Sequence, residues 1–351
     1  MPLRLQIDEI DQELLTLLNA RAHLAVQIGD IKKQFQLPLF QPEREQQVIA
    51  HLQNANPGPM AALGVEAIWR EIMSACRSLE STLTIAYLGP TGTFSEEAAL
   101  KYFGYSIAGM PCASLDEVFR EVEVGGAQYG MVPIENSSEG AVSRTLDLLL
   151  QTSLQINGEL SMPIHHHLLG KGTMADLKVV RAHPQALAQC QHWLNRYCPQ
   201  IERQAVASNA QAAQMAAIDK HSAAIASAAA AKQYELQTLA SHIHDDRHNR
   251  TRFIAIGNTK NKMSDKDKTS LILSVPNEAG AVYQLLAPLA KHGVSMCRLE
   301  SRPAGTAAWE YYFYVDINGH QDDAHVAQAL AALQQHAAFY KSLGSYPCSL
   351  T

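Results

Sequence analysis

The chain has 351 residues, of which 47% are hydrophobic and 18% are charged, and its formal net charge is −6. This length and balance exclude a disordered chain and are typical of two or three globular domains. No stretch is strongly basic, which argues against nucleic acid as a partner, and no apolar run predicts a secretion signal or a membrane span. The six cysteines are scattered without a Cys-x-x-Cys pair, so we expect reduced thiols and a cytoplasmic location.

The period of the apolar residues divides the chain into three regions. Residues 1–82 contain helical patterns only, residues 83–257 alternate short apolar strands with helices, and residues 269–351 again mix strands and helices. Residues 258–268 are polar and charged without an apolar anchor, which predicts a linker. We therefore predict a multidomain protein with an all-α region, an α/β region and an α+β region.

The first predicted helix carries a heptad seam that a cation interrupts. Arg21 occupies the skipped position, and a buried arginine there needs an anion because an unpaired buried charge is costly. Lys32 lies about 16 Å further along the axis on nearly the same side, and Arg4 lies roughly 25 Å before Arg21. The apolar residues of the seam follow in steps of four and three: Leu3, Ile7, Ile10, Leu14, Leu17, Leu24, Ile28, Ile31 and Phe35.

These distances predict a site shared between two chains. One small ligand cannot touch both Arg4 and Arg21 of one straight helix, but it can touch Arg21 of one chain and Arg4 of an antiparallel partner. A homodimer follows from this arrangement. The alternative is a helical dimerisation module whose cations are solvated, and periodicity by itself favours that alternative.

The residue pattern of this region resembles the helical chorismate mutases, which rearrange chorismate to prephenate. In that family, cations at the positions of Arg21 and Lys32 act on the substrate. The positions of Arg44, Glu45 and Arg4 of the partner subunit bind it, and arginine suits a carboxylate because it can bind it bidentately. The resemblance rests on Leu3-Arg4, Ile7-Asp8, Arg21, Ile28-Gly29, Lys32 and Pro42-Glu43-Arg44-Glu45.

Glu80 stands at the end of the third predicted helix, where this family often has glutamine. An ionised carboxylate facing the ether oxygen would repel the negative charge that develops as the C–O bond breaks. We therefore expect Glu80 to act in the protonated form, as a catalytic residue beside Arg21 and Lys32.

Two strands of the α/β region end in loops rich in polar groups. One strand, residues 84–88, leads through the loop at 89–95 into a helix, and a second ends within residues 132–140 before another helix. Backbone amides and capping hydroxyls at such junctions suit an anion, and ligands of open α/β sheets gather at these strand ends. Taken singly, Asn136 could be a turn residue and Ser208 a helix cap. Further along, the alanine-rich segment 222–232 predicts a closely packed helix.

Together with three further motifs, these loops resemble the prephenate dehydratases over about residues 84–257. The motifs are His183-Pro184-Gln185, Ser208-Asn209 and Asn249-Arg250-Thr251-Arg252-Phe253. The resemblance implies a two-lobed domain that converts prephenate to phenylpyruvate, with loss of carbon dioxide and water and without a cofactor. It makes Thr251 the catalytic residue, which we interpret as a hydrogen-bond donor to the departing oxygen because threonine is a weak acid. The expected substrate-binding residues are Thr93, Ser95, Asn136, Gln185, Ser208 and Arg252.

Histidines of the same region raise the question of a metal. Alternating histidines on strands rarely converge on one ion without a fixed further ligand, and no cysteine-rich segment accompanies them. The family that the region resembles needs no metal. We therefore expect no metal site, and the alternative is a metal held by members of this set: His165, His166, His167, His242, His244 and His248.

The third region is predicted to run strand, helix, strand, strand, helix, strand, which is the ferredoxin-like order. It resembles the ACT regulatory domains of phenylalanine-sensitive dehydratases at residues 280–283 and 300–303, although Val282 stands where leucine is usual. A glycine at a helix start also lets backbone amides approach a carboxylate. The alternative is a ferredoxin-like domain that only dimerises. The resemblance implies that L-phenylalanine binds at Gly280, Ala281, Val282, Glu300, Ser301 and Arg302.

Three interpretations of the whole chain remain. The leading one is a bifunctional chorismate mutase–prephenate dehydratase that phenylalanine inhibits. A second keeps only the dehydration and assigns the helical region to dimerisation, but the intact set of cations disfavours it. A third is a non-catalytic amino-acid sensor, since two-lobed α/β domains and ferredoxin-like domains both bind small ligands. The motif around Thr251 disfavours this third interpretation.

Overall fold

The computed structural model describes residues 3–35, 37–276, 278–303 and 311–348. They form two compact units. Residues 3–85 with 100–108 and 259–348 make the first unit, and residues 86–99 with 109–258 make the second. Within these described ranges, no helix is both long and apolar enough to cross a bilayer.

Three helices form the N-terminal part of the first unit: α1 (Leu3–Gln34), α2 (Pro42–Ala55) and α3 (Ala62–Glu80). The predicted all-α region is confirmed. α2 begins with Pro42, which is favoured in the first turn of a helix because the backbone N–H that proline lacks would have no acceptor within the helix there. α3 packs against both α1 and α2. An added Cβ at Gly29 would lie 2.8 Å from the Cβ of Glu80, so glycine lets α1 approach α3 closely at this point.

The heptad seam of α1 is not covered within the described chain. Gly29 is the buried residue recorded for this helix. A continuous apolar face of this length is typical of a helix that packs against another protein surface. Each of the predicted seam residues is at least 50% exposed: Leu3, Ile7, Ile10, Leu14, Leu17, Leu24, Ile28, Ile31 and Phe35.

The α/β region follows, with helices and strands alternating as the sequence predicts. Its elements in chain order are β1 (Thr84–Leu88), α4 (Phe94–Phe103), β2 (Ala108–Cys112), α5 (Leu115–Glu123), β3 (Tyr129–Asn136), β4 (Gly140–Ala141), α6 (Ser143–Gln151), β5 (Gln155–Pro163), β6 (His167–Gly170), a 3-10 turn (Met174–Asp176), β7 (Val179–Ala182), α7 (Pro184–Gln189), α8 (Gln191–Tyr197), β8 (Glu202–Ala205), α9 (Asn209–Ile218), β9 (Ser222–Ala226), α10 (Ala228–Gln233), β10 (Gln237–Ala240) and β11 (Arg250–Gly257).

These strands form two sheets, which confirms the two-lobed α/β architecture. The first has the order β2-β1-β3-β11-β5 with β4 beside β3, and the second has the order β10-β6-β9-β7-β8. The chain passes from the first sheet to the second at residues 164–166 and returns at 241–249. These two connecting segments lie side by side, because the Ile243 N–H donates to the His166 carbonyl at 2.9 Å.

The alanine-rich segment is not one helix. Residues 222–226 form β9, a fully buried strand of the second sheet, and only the residues from Ala228 onward are helical. The prediction of a helix over 222–232 is therefore wrong. Ala224 and Ala226 pack against alanines of α9, and these small side chains let helix and sheet approach closely. A buried strand and a buried helix are both apolar throughout, so periodicity does not separate them.

The C-terminal part of the first unit has the predicted ferredoxin-like order. Its sheet runs β13-β14-β12-β15 with antiparallel neighbours. The first strand begins at Asp267, two residues inside the predicted linker, because the buried Asp267 carboxylate accepts hydrogen bonds from the Ser264 amide and hydroxyl. The elements are β12 (Asp267–Ser274), α11 (Ala281–Lys291), β13 (Met296–Pro303), β14 (Tyr311–Asn318), α12 (Ala324–His336) and β15 (Phe339–Pro347).

Candidate functional sites

A cavity of about 320 Å³ lies between the two lobes of the second unit. A cavity of this size suits a small molecule. The first turns of α4 and α9 line it from opposite lobes, and the amides of a helix N-terminus favour an anion. Its lining includes six of the residues predicted for this region: Thr93, Ser95, Asn136, Gln185, Ser208 and Thr251.

Strand pairing and helix caps explain why these residues meet. β11 runs antiparallel to β3 in a register that places Thr251 opposite Asn136. Ser208 caps α9, where its hydroxyl accepts from the Gln211 amide at 3.0 Å. Ser208 is therefore a helix cap and a cavity residue at once, so the two interpretations of that residue are compatible.

The Asn136 amide is fixed in one orientation. Its Oδ1 accepts from the Ser138 N–H at 3.0 Å, and a backbone N–H can only donate, so Nδ2 must lie on the other side. From there Nδ2 donates to Thr251 Oγ1 at 2.8 Å and to Asn249 Oδ1 at 2.9 Å. Because the Thr251 oxygen accepts this bond, its own O–H remains available for a further partner. Thr251 and Asn136 are both buried against bulk water.

Residues that the sequence analysis did not select extend this network. Asn249 Nδ2 donates to Gln189 Oε1 at 3.1 Å, and the same oxygen lies 2.9 Å from His166 Nε2. Gln189 in turn donates to Glu139 at 3.3 Å. His166 is 2% exposed, and burial lowers its pKa to about 4, so the ring is neutral at pH 7. These hydrogen bonds hold the Asn136 side chain, and through it Thr251, in a fixed position relative to both connecting segments.

Arg252 does not belong to the cavity lining. Successive strand residues point to opposite faces, so Thr251 and Phe253 face the cavity while Arg252 faces away. Its guanidinium lies 2.8 Å from the buried Glu159 carboxylate on β5. In this structure Arg252 forms an ion pair that ties β11 to β5, and its contact with substrate stays a prediction.

The cations of the helical region are arranged differently. Lys32 Nζ lies 3.2 Å from a Glu80 carboxylate oxygen and 3.0 Å from the Leu39 carbonyl. Arg21 is half-buried on the same helix, whereas Arg4 and Arg44 are exposed. Lys32 and Glu80 thus form an ion pair, and the catalytic action of Glu80 in its protonated form stays a prediction.

Glu45 pairs with a residue that the sequence analysis missed. Its carboxylate contacts the buried Arg77, which also donates to the Phe103 carbonyl and lies over the Phe40 ring. Burial raises the pKa of Glu45, although Arg77 opposes the shift. The sequence could have indicated Arg77, because it follows Met73 by four residues and precedes Glu80 by three. This spacing places all three residues on one face of α3.

The predicted effector segments lie at the surface of the described C-terminal region. Gly280 caps α11 with φ of +83°, a left-handed conformation that glycine adopts without strain. Gly280, Val282 and Ser301 are exposed, and Ala281, Glu300 and Arg302 are half-buried. β13, which carries the second segment, is an edge strand of its sheet.

Three histidines of the second unit converge. His165, His242 and His244 each offer a ring nitrogen, and these nitrogens lie within 4.8 Å of one another. These histidines lie on the two connecting segments and not on strands, and the segments run side by side, which the sequence analysis did not predict. The expectation that the region holds no metal stays untested.

Comparison with known proteins identifies all three regions. Residues 3–81 match the type II chorismate mutases, residues 85–261 the prephenate dehydratases and residues 269–335 the ACT domains. The chain is 47% identical to the bifunctional chorismate mutase/prephenate dehydratase of Neisseria gonorrhoeae, over 100% of this chain and 97% of that one. It is 44% identical to the protein of the same name from Pseudomonas aeruginosa, over 98% and 96% of the two chains.

A solved structure supports the same assignment. The prephenate dehydratase of Arthrobacter aurescens, crystallised in complex with L-Phe, is 33% identical with a TM-score of 0.70, over 76% of this chain and 90% of that chain. Each of the two activities has its matched region, in the order found in the full-length relatives. The chain belongs to the bifunctional chorismate mutase/prephenate dehydratases.

Proposed function

We propose that Thr251 promotes the dehydration by donating a hydrogen bond to the ring hydroxyl of prephenate as it departs. In this step the C–C bond to the ring carboxylate breaks, carbon dioxide leaves, and the electron pair moves into the ring and expels hydroxide. The ring becomes aromatic and phenylpyruvate remains. The donor is needed because hydroxide is a poor leaving group, and a preorganised hydrogen bond stabilises its developing charge.

The hydrogen bond from Asn136 to Thr251 carries this proposal. Because Asn136 Nδ2 donates to the Thr251 oxygen, the hydroxyl hydrogen of Thr251 is directed to another acceptor, and the oxygen becomes a better donor as its own lone pair is engaged. The amides at the starts of α4 and α9, with Thr93, Ser95 and Gln185, are suited to hold the anionic substrate across the cavity.

A comparison of Thr251→Ala with Thr251→Ser tests this role. Chorismate is supplied to each variant, and prephenate and phenylpyruvate are measured over time. Thr251→Ala should accumulate prephenate, because mutase turnover continues and dehydration falls by about 10²–10³-fold. Thr251→Ser should retain most of the dehydration because it keeps the hydroxyl. Dehydration by Thr251→Ala at the wild-type rate would exclude the role.

For the mutase we propose that the active site is completed by a second copy of the chain. Arg21 and Lys32 serve the site of their own chain, with Arg44 and Glu45, and Arg4 serves that of the partner. The uncovered apolar face of α1 supports this proposal, because an antiparallel second α1 would bury the seam and bring its Arg4 toward Arg21. Two substrate carboxylates would then meet cations from both chains.

Glu80 would act on the ether oxygen in this site. When chorismate binds, Lys32 has a new anion to pair with, and a protonated Glu80 can then donate to the ether oxygen without repelling its developing charge. Mutase activity should in that case fall as pH rises, and Glu80→Gln should flatten the profile because an amide donates at every pH. A profile that Glu80→Gln leaves unchanged would exclude the protonated form.

We further propose that L-phenylalanine inhibits the dehydratase by binding to the C-terminal region. The resemblance at Gly280–Val282 and Glu300–Arg302 and the L-Phe complex of the Arthrobacter dehydratase support it. The amino acid would inhibit by preferring one of two arrangements of the dimer. The dehydratase rate is measured at rising phenylalanine concentration, with tyrosine as the control ligand. A rate that phenylalanine does not change would remove the proposal.

A further inference from the structure

The two segments that connect the lobes of the second unit bring together three imidazoles to which no part in dehydration has been assigned. His165 belongs to the outgoing segment, and His242 and His244 belong to the returning one. The ring of His165 lies 4.8 Å from that of His242 and 5.3 Å from that of His244, and the last two rings are 5.9 Å apart, centroid to centroid. Three rings from two separate segments therefore share one small volume.

We propose that His165, His242 and His244 form a binding site for a divalent first-row transition metal ion, with Zn²⁺ as the best-matched ion. Neutral imidazole is a preferred ligand of zinc, and three histidines with an open fourth position for water are a common zinc ligand set. The inference is independent of the roles proposed above for Thr251 and for the helical region.

The distances are close to those of a metal site. Zinc binds imidazole nitrogen at about 2.0–2.1 Å, so two ligands at a tetrahedral angle lie roughly 3.3 Å apart. The ring nitrogens here lie within 4.8 Å of one another. Rotation of the exposed His242 ring can narrow this gap, whereas His165 is half-buried and His244 is buried.

The backbone holds these rings in place. His242 has φ of +53°, a left-handed conformation that histidine seldom adopts, and this turns its ring toward both His165 and His167. Beside it, Ile243 N–H donates to the His166 carbonyl, which fixes the returning segment against the outgoing one. A strained residue held by its surroundings is frequent at functional sites.

A metal at this position would link the two segments and so restrain the hinge between the lobes. The His166 amide donates to His244 Nδ1 at 3.3 Å, and the His166 ring lies in the cavity wall. A metal bound to His244 Nδ1 would replace this long bond, whereas a metal bound to its Nε2 would leave the bond in place. Binding to the folded chain should also raise its unfolding temperature.

A titration of the untagged full-length chain with Zn²⁺ tests the site. The chain is first treated with EDTA and dialysed, and binding is measured against a chromophoric chelator. We expect each chain to bind one Zn²⁺ tightly, apart from any ions bound with lower affinity, and we expect its unfolding temperature to rise. His242→Asn removes the imidazole but tolerates the positive φ, and it should weaken this site by at least about tenfold, as should His165→Ala. Co²⁺ supplies a second readout through the absorption bands of a four-coordinate site.

His248→Ala is the matched control, because His248 is an exposed histidine of the same returning segment outside the cluster. It should leave both the affinity and the Co²⁺ bands unchanged. The dehydratase rate of His242→Asn, expected near the wild-type value, verifies that this variant is folded. Failure of the wild-type chain to bind Zn²⁺ would overturn the proposal. So would equal affinity in wild type, His242→Asn and His165→Ala, which would assign the ion to other surface histidines only.

Discussion

The dehydratase cavity and the mutase site differ in how complete they are within one chain. Six predicted residues of the dehydratase line a single cavity, and Asn136 and Thr251 are already joined by a hydrogen bond. In the helical region, Lys32 pairs with Glu80 and Glu45 pairs with Arg77, while Arg4 stays exposed. The residues predicted for the first site line one cavity, whereas those predicted for the second are divided between ion pairs and exposed cations.

Chain topology accounts for this difference. The antiparallel pairing of β3 and β11 places the end of one strand beside the start of the other, so Asn136 and Thr251 meet within one chain although they are distant in sequence. Cations spaced along one helix are kept apart by its rise of about 1.5 Å per residue, so they can converge only when another helix supplies some of them. The same helix leaves its apolar seam uncovered. The spread of cations along α1 and its uncovered apolar face are the two observations on which the proposed shared site rests.

Co-expression of two mutase variants, each inactive by itself, tests whether the mutase site is shared between chains and has the largest expected effect. Lys32→Ala and Arg4→Ala should each lower mutase turnover by about 10²–10³-fold, because each removes a cation from the site. When the two are co-expressed, half of the dimers should be mixed, and one of the two sites in each mixed dimer is intact. About a quarter of the wild-type activity should then return, measured as chorismate consumption.

The control for this experiment is the pair Lys32→Ala and Arg21→Ala. Both residues serve the site of their own chain, so no mixed dimer contains an intact site and no activity should return. Equal recovery in the two pairs, or recovery in neither, would show that Arg4 does not act across the interface. Dehydratase activity should persist in all of these chains.

The pH dependence of stability tests the buried network beside the dehydratase cavity. Burial lowers the pKa of His166 to about 4, and burial also lowers the pKa of His167 and His244. The unfolded chain, with histidine near its ordinary pKa of about 6.5, takes up protons first as pH falls. Stability is therefore lost between about pH 6.5 and pH 4, and His166 alone accounts for about 3 kcal/mol.

Urea unfolding at several pH values, with EDTA present, measures this effect. His166→Gln removes the titrating group and keeps a donor for Gln189, so its unfolding midpoint should fall less steeply with acid than that of the wild type. The difference between the two curves separates His166 from the carboxylates, which titrate at lower pH in both chains. Parallel curves would show that the buried imidazole is not the acid-sensitive group.

The positioning role of Asn136 predicts a smaller effect on catalysis. Asn136→Ala removes the donor to Thr251 and should lower dehydratase kcat by roughly tenfold to a hundredfold, the equivalent of one buried hydrogen bond of about 1.4–2.7 kcal/mol. KM should change little, because Asn136 positions Thr251 for the chemical step and does not itself bind the substrate in this role. Ser138→Ala is the control, since the Ser138 amide that holds Asn136 is kept. A rise in KM with unchanged kcat would make Asn136 a substrate-binding residue.

The sequence predicted those features that depend on local pattern. The three N-terminal helices, the ferredoxin-like order and the meeting of polar residues at strand ends follow from spacing and capping, and the structure has them, whereas the helix predicted over 222–232 is absent. Strand alternation beside Thr251 could have indicated that Arg252 lies on the opposite face of β11, where it pairs with Glu159. The hydrogen bonds of Gln189 and Glu139 could not be predicted, because both look like ordinary loop or helix-end residues and their partners lie at least 23 residues away. The meeting of His165 with His242 has the same cause.

The smallest expected effect concerns the effector segment at Gly280. An alanine at φ of +83° costs about 1–2 kcal/mol of backbone strain, so Gly280→Ala should disturb the first turn of α11 without steric clash, since the space around it is open. If backbone amides there bind the phenylalanine carboxylate, the concentration for half-inhibition of the dehydratase should rise about fivefold to thirtyfold. Gly293→Ala is the matched control, because Gly293 has φ of +68°, is equally open and follows the other end of α11. An equal shift in both variants would reflect general strain in the region, whereas a shift confined to Gly280→Ala would place the effector at the start of α11.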